Sequence, residues 1–127
     1  MKIINRFHIY TGKKEGREIR HELQAGEAYE VSYKKLYYIV KMWAFPQDTF
    51  YLCQNRDDRE LFTLFAKRVE DGENFVFRRP VGFGFFSRDL RKHLEIQFTF
   101  PRQKVFMSLF PSDVTNDSLL SDSGGVT

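Results

Sequence analysis

The chain has 127 residues, 42% of them hydrophobic and 29% charged, a composition that excludes wholesale disorder. Cys53 is its only cysteine, so an intrachain disulfide is excluded and a reducing compartment is favoured. The N-terminus lacks the apolar run of a signal peptide, and the longest apolar stretch, 36–40, is too short to cross a bilayer. These features predict a soluble, intracellular protein, cytoplasmic by default.

The net charge of +3 is unevenly distributed along the chain. Counting Lys and Arg against Asp and Glu, residues 1–45 carry +4, 46–72 carry −2, 73–111 carry +4 and 112–127 carry −3. Two basic blocks and an acidic tail favour a polyanion as partner for part of the surface. A mixed, solvated surface is the alternative.

Alternation of apolar and polar residues with a period of two dominates the sequence and predicts antiparallel strands. The segment 17–23 fits a strand or a short helix equally well. The predicted strands, in chain order, cover 3–10, 29–33, 36–44, 49–54, 74–79, 95–100 and 104–110.

One principal helix is predicted over 57–70. Leu61, Phe62, Phe65 and Val69 share one helical side, and Gly72 follows as a stop signal. A second, shorter helix is predicted from the capping residue Ser87 to Lys92. The fold class expected is therefore α+β: a mainly antiparallel sheet of about seven strands with one principal helix packed on it.

The sequence divides into a single β-rich domain over 1–111 and a flexible acidic tail over 112–127. The tail is rich in Ser, Asp and Gly and lacks aromatic rings. Such a composition buries too little apolar surface to order itself, so the tail is predicted to be disordered.

Twenty-one residues are aromatic (14 Phe, 6 Tyr and 1 Trp), and many stand beside Lys or Arg. Rings stack on bases and cations pair with phosphates, so this mixture predicts a surface for single-stranded nucleic acid. The alternative is that the rings supply the core, because Leu, Ile and Val together number only 24. The residues predicted to bind nucleic acid form two groups: Tyr33, Lys34, Lys35, Tyr37, Lys41 and Trp43 in the first, and Phe77, Arg78, Arg79, Arg88, Arg91 and Lys92 in the second.

The run Gly82-Phe83-Gly84-Phe85-Phe86-Ser87 has two glycines before a candidate helix start, but it lacks the remaining elements of a phosphate-binding loop. We expect these glycines instead to permit a bend or bulge that turns the neighbouring phenylalanines toward a core or a partner.

No catalytic residue, metal site or cofactor is predicted. His8, His21 and His93 lie far apart in the sequence, and none has a second His or Cys at ligand spacing. Cys53 lies within a predicted strand, where an inert thiol is expected.

The sequence thus favours a small, non-catalytic nucleic-acid-binding protein. The alternative is a protein–protein interaction or assembly module, such as a viral or accessory protein, that uses the aromatic surface or the acidic tail. A small barrel-type enzyme is the third hypothesis. The surplus of rings and the open sheet edges also favour homo-oligomerisation, and no membrane partner is expected.

Overall fold

The structure, a computed structural model, describes residues 2–33, 35–99 and 102–112, with Tyr33 represented by its backbone alone. Within these residues the chain is all β. Its eight strands are β1 (Lys2–Glu15), β2 (Glu18–Tyr33), β3 (Lys35–Met42), β4 (Phe50–Gln54), β5 (Leu61–Asp71), β6 (Asn74–Phe86), β7 (His93–Thr99) and β8 (Arg102–Ser108).

The strands form one closed barrel in which every strand pairs antiparallel with its neighbour in sequence, and β8 pairs with β1. Alternate residues of each strand point inward and fill the interior, as expected for a barrel of eight strands. We call this set the interior cluster; it consists of Phe7, Ile9, Ala28, Val40, Met42, Phe50, Leu52, Phe62, Leu64, Leu94, Ile96, Phe98, Val105 and Met107.

The hairpin of β1 and β2 continues beyond the barrel as an arm, residues 12–21, which we call the β1–β2 arm. Its two-residue turn is Gly16–Arg17, and Gly16 has a φ of 67°, the left-handed conformation that glycine supplies in hairpin turns. Register shifts interrupt the ladder at the base of the arm, and such bulges bend a hairpin. The arm therefore folds back over the outer face of β7, where it contacts His93 and Glu95.

The hairpin of β5 and β6 forms a second arm, residues 67–78, which folds over the outer face of β3 and β4. A register shift between Leu64 and Phe65, opposite Val81, marks its bend, and the nearby Arg79 has a φ of 62°. Beneath it lies a second core, which we call the outer aromatic cluster. Its members are Val31, Tyr37, Phe75 and Phe77, with Ile39, Tyr51, Cys53 and Phe65 packed against them.

The predicted principal helix over 57–70 is wrong, and with it the α+β class. Residues 61–71 form β5, a strand hydrogen-bonded on one side to β4 and on the other to β6. Of the residues assigned to the helical side, Phe62 points into the barrel together with Leu64, whereas Phe65 packs against the outer aromatic cluster on the opposite face of the strand. A helix of this length is marginal by itself, so pairing with two strands and burial in the interior decide its conformation.

The predicted short helix at 87–92 is also wrong, because these residues form a tight turn in which Leu90 and Arg91 have φ values of 63° and 60°.

The strands predicted from alternation are all present, and the ambiguous segment 17–23 belongs mainly to β2. Ser112, where the description ends, donates its backbone N–H to Arg6 O at 2.8 Å. The remainder of the predicted tail lies outside the described residues.

Within the described part of the chain, no helical segment combines the length and the apolar character needed to cross a membrane.

Candidate nucleic-acid interface

A groove of about 810 Å³ lies between the tip of the β1–β2 arm and the end of β6. Its walls carry three cations, Lys14 and Arg17 from the arm and Arg88 from the turn after β6, against one acid, Glu18. Phe85 and Phe86 contribute aromatic surface to the same lining. The groove therefore brings cations and rings together, mostly from residues outside the two predicted groups.

Two phenylalanine rings continue this surface along the outer face of β6. Phe83 and Phe85 stack with their centroids 6.2 Å apart and their planes inclined by 20°. Phe83 is 41% exposed, and Phe85 is half-buried. Successive side chains of a strand point to opposite faces. Gly82 and Gly84 occupy the inward positions of β6 between β5 and β7, so Phe83 and Phe85 point outward. The expected bend or bulge is not found at these glycines, because Gly82 and Gly84 pair with β5 and β7 in regular register.

A buried carboxylate fastens the middle of the arm to the barrel. Glu95 is 1% exposed, and its Oε1 lies 2.8 Å from Lys14 Nζ. Its Oε2 accepts a hydrogen bond of 2.6 Å from Gln97 Nε2 and lies 3.8 Å from Lys104 Nζ. A carboxylate removed from water requires such partners, so Lys14 both lines the groove and compensates the burial of Glu95.

We expect Lys14→Met to lower the free energy of unfolding by about 2 kcal/mol, because it leaves Glu95 buried with only a distant cation. Urea unfolding followed by circular dichroism measures this. Glu95→Gln in the same chain should restore part of the loss. Lys13→Met is the matched control, since the Lys13 side chain is 68% exposed and contacts Glu22 only at 3.9 Å. Equal effects of the two lysine variants would show that the arm is not fastened at Glu95.

The turn between β6 and β7 is organised by one carboxylate. Asp89 is buried and accepts hydrogen bonds from Ser87 Oγ, from Lys92 N at 3.1 Å and from His93 Nδ1 at 2.6 Å. Burial raises the pKa of Asp89, but the hydrogen bonds from Ser87 and His93 outweigh burial and hold it below its ordinary value. Asp89 is therefore ionised and stabilises a turn that contains consecutive left-handed residues.

His93 also joins this turn to the arm. Its Nε2 lies 2.7 Å from Nε2 of His21, whose ring stacks on Tyr10 at a centroid distance of 3.8 Å and an inclination of 7°. With Nδ1–H of His93 donated to Asp89, Nε2 of neutral His93 is an acceptor and His21 Nε2–H is the donor. Burial and the neighbouring His93 lower the pKa of His21, although Asp89 opposes this shift.

Both ring nitrogens of His93 are thus engaged, one by Asp89 and one by His21. A Ser-His-Asp arrangement instead requires a nucleophile at Nε2 of the histidine, and here Ser87 donates to the carboxylate. In the described part of the chain, no three His, Cys, Asp or Glu side chains converge as metal ligands. The arrangement can bind and release protons at the contact between arm and barrel.

The residues of the first group predicted to bind nucleic acid do not share one exposed surface, because the β5–β6 arm covers some of them and not others. Tyr37 is 1% exposed within the outer aromatic cluster, and Lys35 Nζ lies over the rings of Phe75 and Phe77 at 5.1 and 5.3 Å. Lys41 donates to Asp48 O and Thr49 Oγ1 at 3.1 and 3.0 Å. Trp43 remains 51% exposed. The Tyr33 side chain and Lys34 lie outside the described residues.

The second predicted group is separated along β6. Phe77 is buried in the outer aromatic cluster, and Arg78 and Arg79 are exposed near the base of the β5–β6 arm. The other three residues lie in the turn between β6 and β7. Arg88 lines the groove, Arg91 contacts Glu60 Oε1 at 3.0 Å and lies 4.0 Å over the Phe86 ring, and Lys92 is half-buried.

Sequence reasoning missed Lys14, Arg17 and the pairing of His21 with His93. Their proximity to the barrel depends on the fold of the arm, and His21 and His93 are 72 positions apart. The available signal was the dipeptide Gly16-Arg17 between two polar runs, which is typical of a hairpin turn. Cys53 is half-buried, and burial raises the pKa of its thiol.

No protein-family model, curated protein or solved structure matches this chain.

Proposed function

We propose that this protein binds single-stranded nucleic acid along the groove and the adjoining rings of Phe83 and Phe85. The observation that carries the proposal is the placement of two stacked, outward-facing rings beside a groove lined by three cations. Non-specific single-strand binders combine these two elements, a basic channel for the backbone and rings on which bases stack.

The charges in the groove support a polyanion as the ligand. Lys14 is neutralised by Glu95, but Arg17 and Arg88 form no ion pair with any residue in the described ranges. Arginine offers a planar set of donors that matches phosphate oxygens, and it is less strongly hydrated than lysine. Arg17 and Arg88 are therefore the residues proposed to contact phosphates, and Phe83 and Phe85 those proposed to stack on bases.

We expect a fluorescein-labelled oligothymidylate of about 20 nucleotides to bind the protein, with an affinity that falls steeply with salt. Two or three neutralised phosphates correspond to a loss of about 7- to 18-fold between roughly 50 and 200 mM salt. Fluorescence anisotropy measures the affinity at each salt concentration. Phe83→Ala and Phe85→Ala should each weaken binding by about tenfold, because a stacked base contributes about 1–3 kcal/mol.

The role of the groove arginines is tested with two double variants that lose the same net charge, one in the groove and one outside it as the control. Arg17→Gln with Arg88→Gln should reduce the slope of log affinity against log salt by about 1.4, since each single-strand phosphate contributes about 0.7. Arg78→Gln with Arg79→Gln removes two exposed arginines in the middle of β6, near the base of the β5–β6 arm, and should leave the slope unchanged. An equal effect of both pairs would contradict the proposed site, and no binding at low salt would contradict the function.

Binding that is independent of salt and specific to a protein would instead favour the interaction module. The same rings suit a protein partner, since Leu61 pairs with Phe85 in the sheet and is 40% exposed. Within the described residues, the arrangement around His93 does not favour the enzyme hypothesis, because both of its ring nitrogens are already engaged.

A further inference from the structure

The β1–β2 arm forms one wall of the groove, so anything that detaches the arm also removes that wall. Two of its polar side chains bind the barrel. Lys14 contacts Glu95 near the middle of the arm, and His21 contacts His93 at its base, where His21 pairs with Gly12. The first contact joins opposite charges at neutral pH. The second joins two imidazoles, and histidine is the residue type whose ordinary pKa lies nearest to neutrality.

The contact between the two histidines requires that at least one of them be neutral. A hydrogen bond between two Nε2 atoms at 2.7 Å contains one proton, carried by either ring. One added proton is tolerated, because His93 then becomes the donor and its positive charge faces Asp89. A second added proton leaves two cationic donors facing each other with no acceptor between them, which must separate.

Other groups around the pair do not supply a second acceptor. Tyr10 of β1 stacks on the face of His21, and Asp89 is engaged by Ser87, Lys92 N and His93. Glu95, on the same face of β7 as His93, is engaged by Lys14 and Gln97.

The acids and bases that flank His21 on β2 are also engaged elsewhere. Arg20 pairs with Glu15, and Glu22 pairs with Lys13. Lys92 contributes its backbone N–H to Asp89 and adds positive charge to the turn.

We propose that double protonation of the His21–His93 pair releases the base of the β1–β2 arm from β7 and thereby dismantles the groove. The consequence of this release for ligand binding in the groove rests on the proposed function. Acidification then weakens oligonucleotide binding even though the protein gains positive charge, the reverse of simple electrostatic attraction.

The direction in which pH changes the stability of the arm follows from the lowered pKa of His21. The folded arm favours neutral His21, so the stability due to this contact is present above the ordinary histidine value of about 6.5 and is lost as the pH falls through the lower, folded value. His21 lies at the base of the arm, so the arm loosens there first.

Arm release is measured without nucleic acid, by amide hydrogen exchange of residues 12–21 at about pH 7.5 and pH 5.5, corrected for the intrinsic exchange rate. We expect protection of the arm to fall roughly three- to tenfold on acidification, relative to the interior strand β7. His21→Gln removes the titrating group and should make protection independent of pH. His8→Gln is the matched control, because His8 contacts Tyr10 at 3.4 Å and not the barrel turn, and it should behave as the unaltered chain.

Unchanged protection between the two pH values would overturn arm release, and so would a pH response that survives in His21→Gln or disappears in His8→Gln. Should His21→Gln not fold, NMR of the unaltered chain tests the proposal. The imidazole resonances of His21 and His93 should then change in two coupled steps, and the chemical shifts of the arm residues should change with the step at lower pH. Independent, single-step titration would overturn the proposal.

Oligonucleotide anisotropy at the same two pH values then tests the consequence for binding. An affinity that falls on acidification in the unaltered chain but not in His21→Gln supports the proposal, and an affinity that rises contradicts its second part. If no oligonucleotide binds at either pH, the proposed function fails while the exchange experiment still decides arm release.

Discussion

Tyr37→Ala is expected to lower the free energy of unfolding by about 3–5 kcal/mol, the range for truncation of a buried aromatic side chain. The Tyr37 ring contacts Phe77 and Phe75 edge-on at centroid distances of 5.0 and 5.7 Å and Tyr51 at 6.3 Å. It therefore connects β3 to the β5–β6 arm. The loss would be a large share of the total stability of about 5–15 kcal/mol usual for a domain.

Urea unfolding followed by circular dichroism measures this change. Trp43→Ala is the control, because a half-exposed ring at the β3–β4 connection should cost less than about 1 kcal/mol. Should the two variants unfold alike, the outer aromatic cluster would not be a core. The comparison also matters for function, because reduced oligonucleotide binding by Tyr37→Ala would reflect loss of the fold and not loss of a stacking ring.

Gly82→Ala is expected to destabilise the barrel by about 3 kcal/mol. A Cβ at Gly82 would lie 2.2 Å from the backbone oxygen of Gln97 and 3.2 Å from Cα of Phe98. These atoms belong to the backbone of β7, which is held on its other side by β8, so the neighbour cannot rotate away. The two strands must separate or shift, and the ladder next to Phe83 is disrupted.

Gly72→Ala separates this steric cost from the cost of backbone conformation. Gly72 has a φ of 64°, and an added Cβ there meets no atom within 4 Å. Its substitution should therefore cost only about 1 kcal/mol of left-handed strain. Thermal unfolding of the two variants gives the comparison, and a loss at Gly72 equal to or larger than that at Gly82 would contradict close packing of β6 against β7.

The two arms account for the distribution of aromatic side chains. An eight-stranded barrel of this size has an interior that its own inward-facing residues fill. The outer faces of β3 and β4 and of β7 and β8 would otherwise be exposed, but each is covered by a hairpin arm. Covering these faces buries Tyr37 and Phe77 on one side and Phe106, with the carboxylate of Glu95, on the other. The surplus of rings is thus largely structural, while Phe83 and Trp43 remain partly exposed.

The strands could be predicted from the sequence because alternation is a local property. Tyr29, Val31 and their neighbours on β2 follow the pleat, and the same holds for Ile96 and Phe98 on β7. The error at β5 arose where the local pattern fits two periods. Phe62 and Leu64 share a face in a strand, whereas Phe62 and Phe65 share a face in a helix. Only hydrogen bonding to the edges of β4 and β6 selects the strand.

The sequence by itself determined an aromatic-rich chain of antiparallel strands with separated basic blocks and no disulfide. Only the tertiary structure decided that the strands close into a barrel, which outer faces the arms cover, and therefore which rings and cations meet water together. The physical reason is that pleat alternation and turn residues act between neighbours in sequence. Burial of Tyr37, contact of His21 with His93 and placement of Arg17 beside Phe85 instead depend on contacts between distant segments, which exist only once the barrel has closed and the hairpins have folded back.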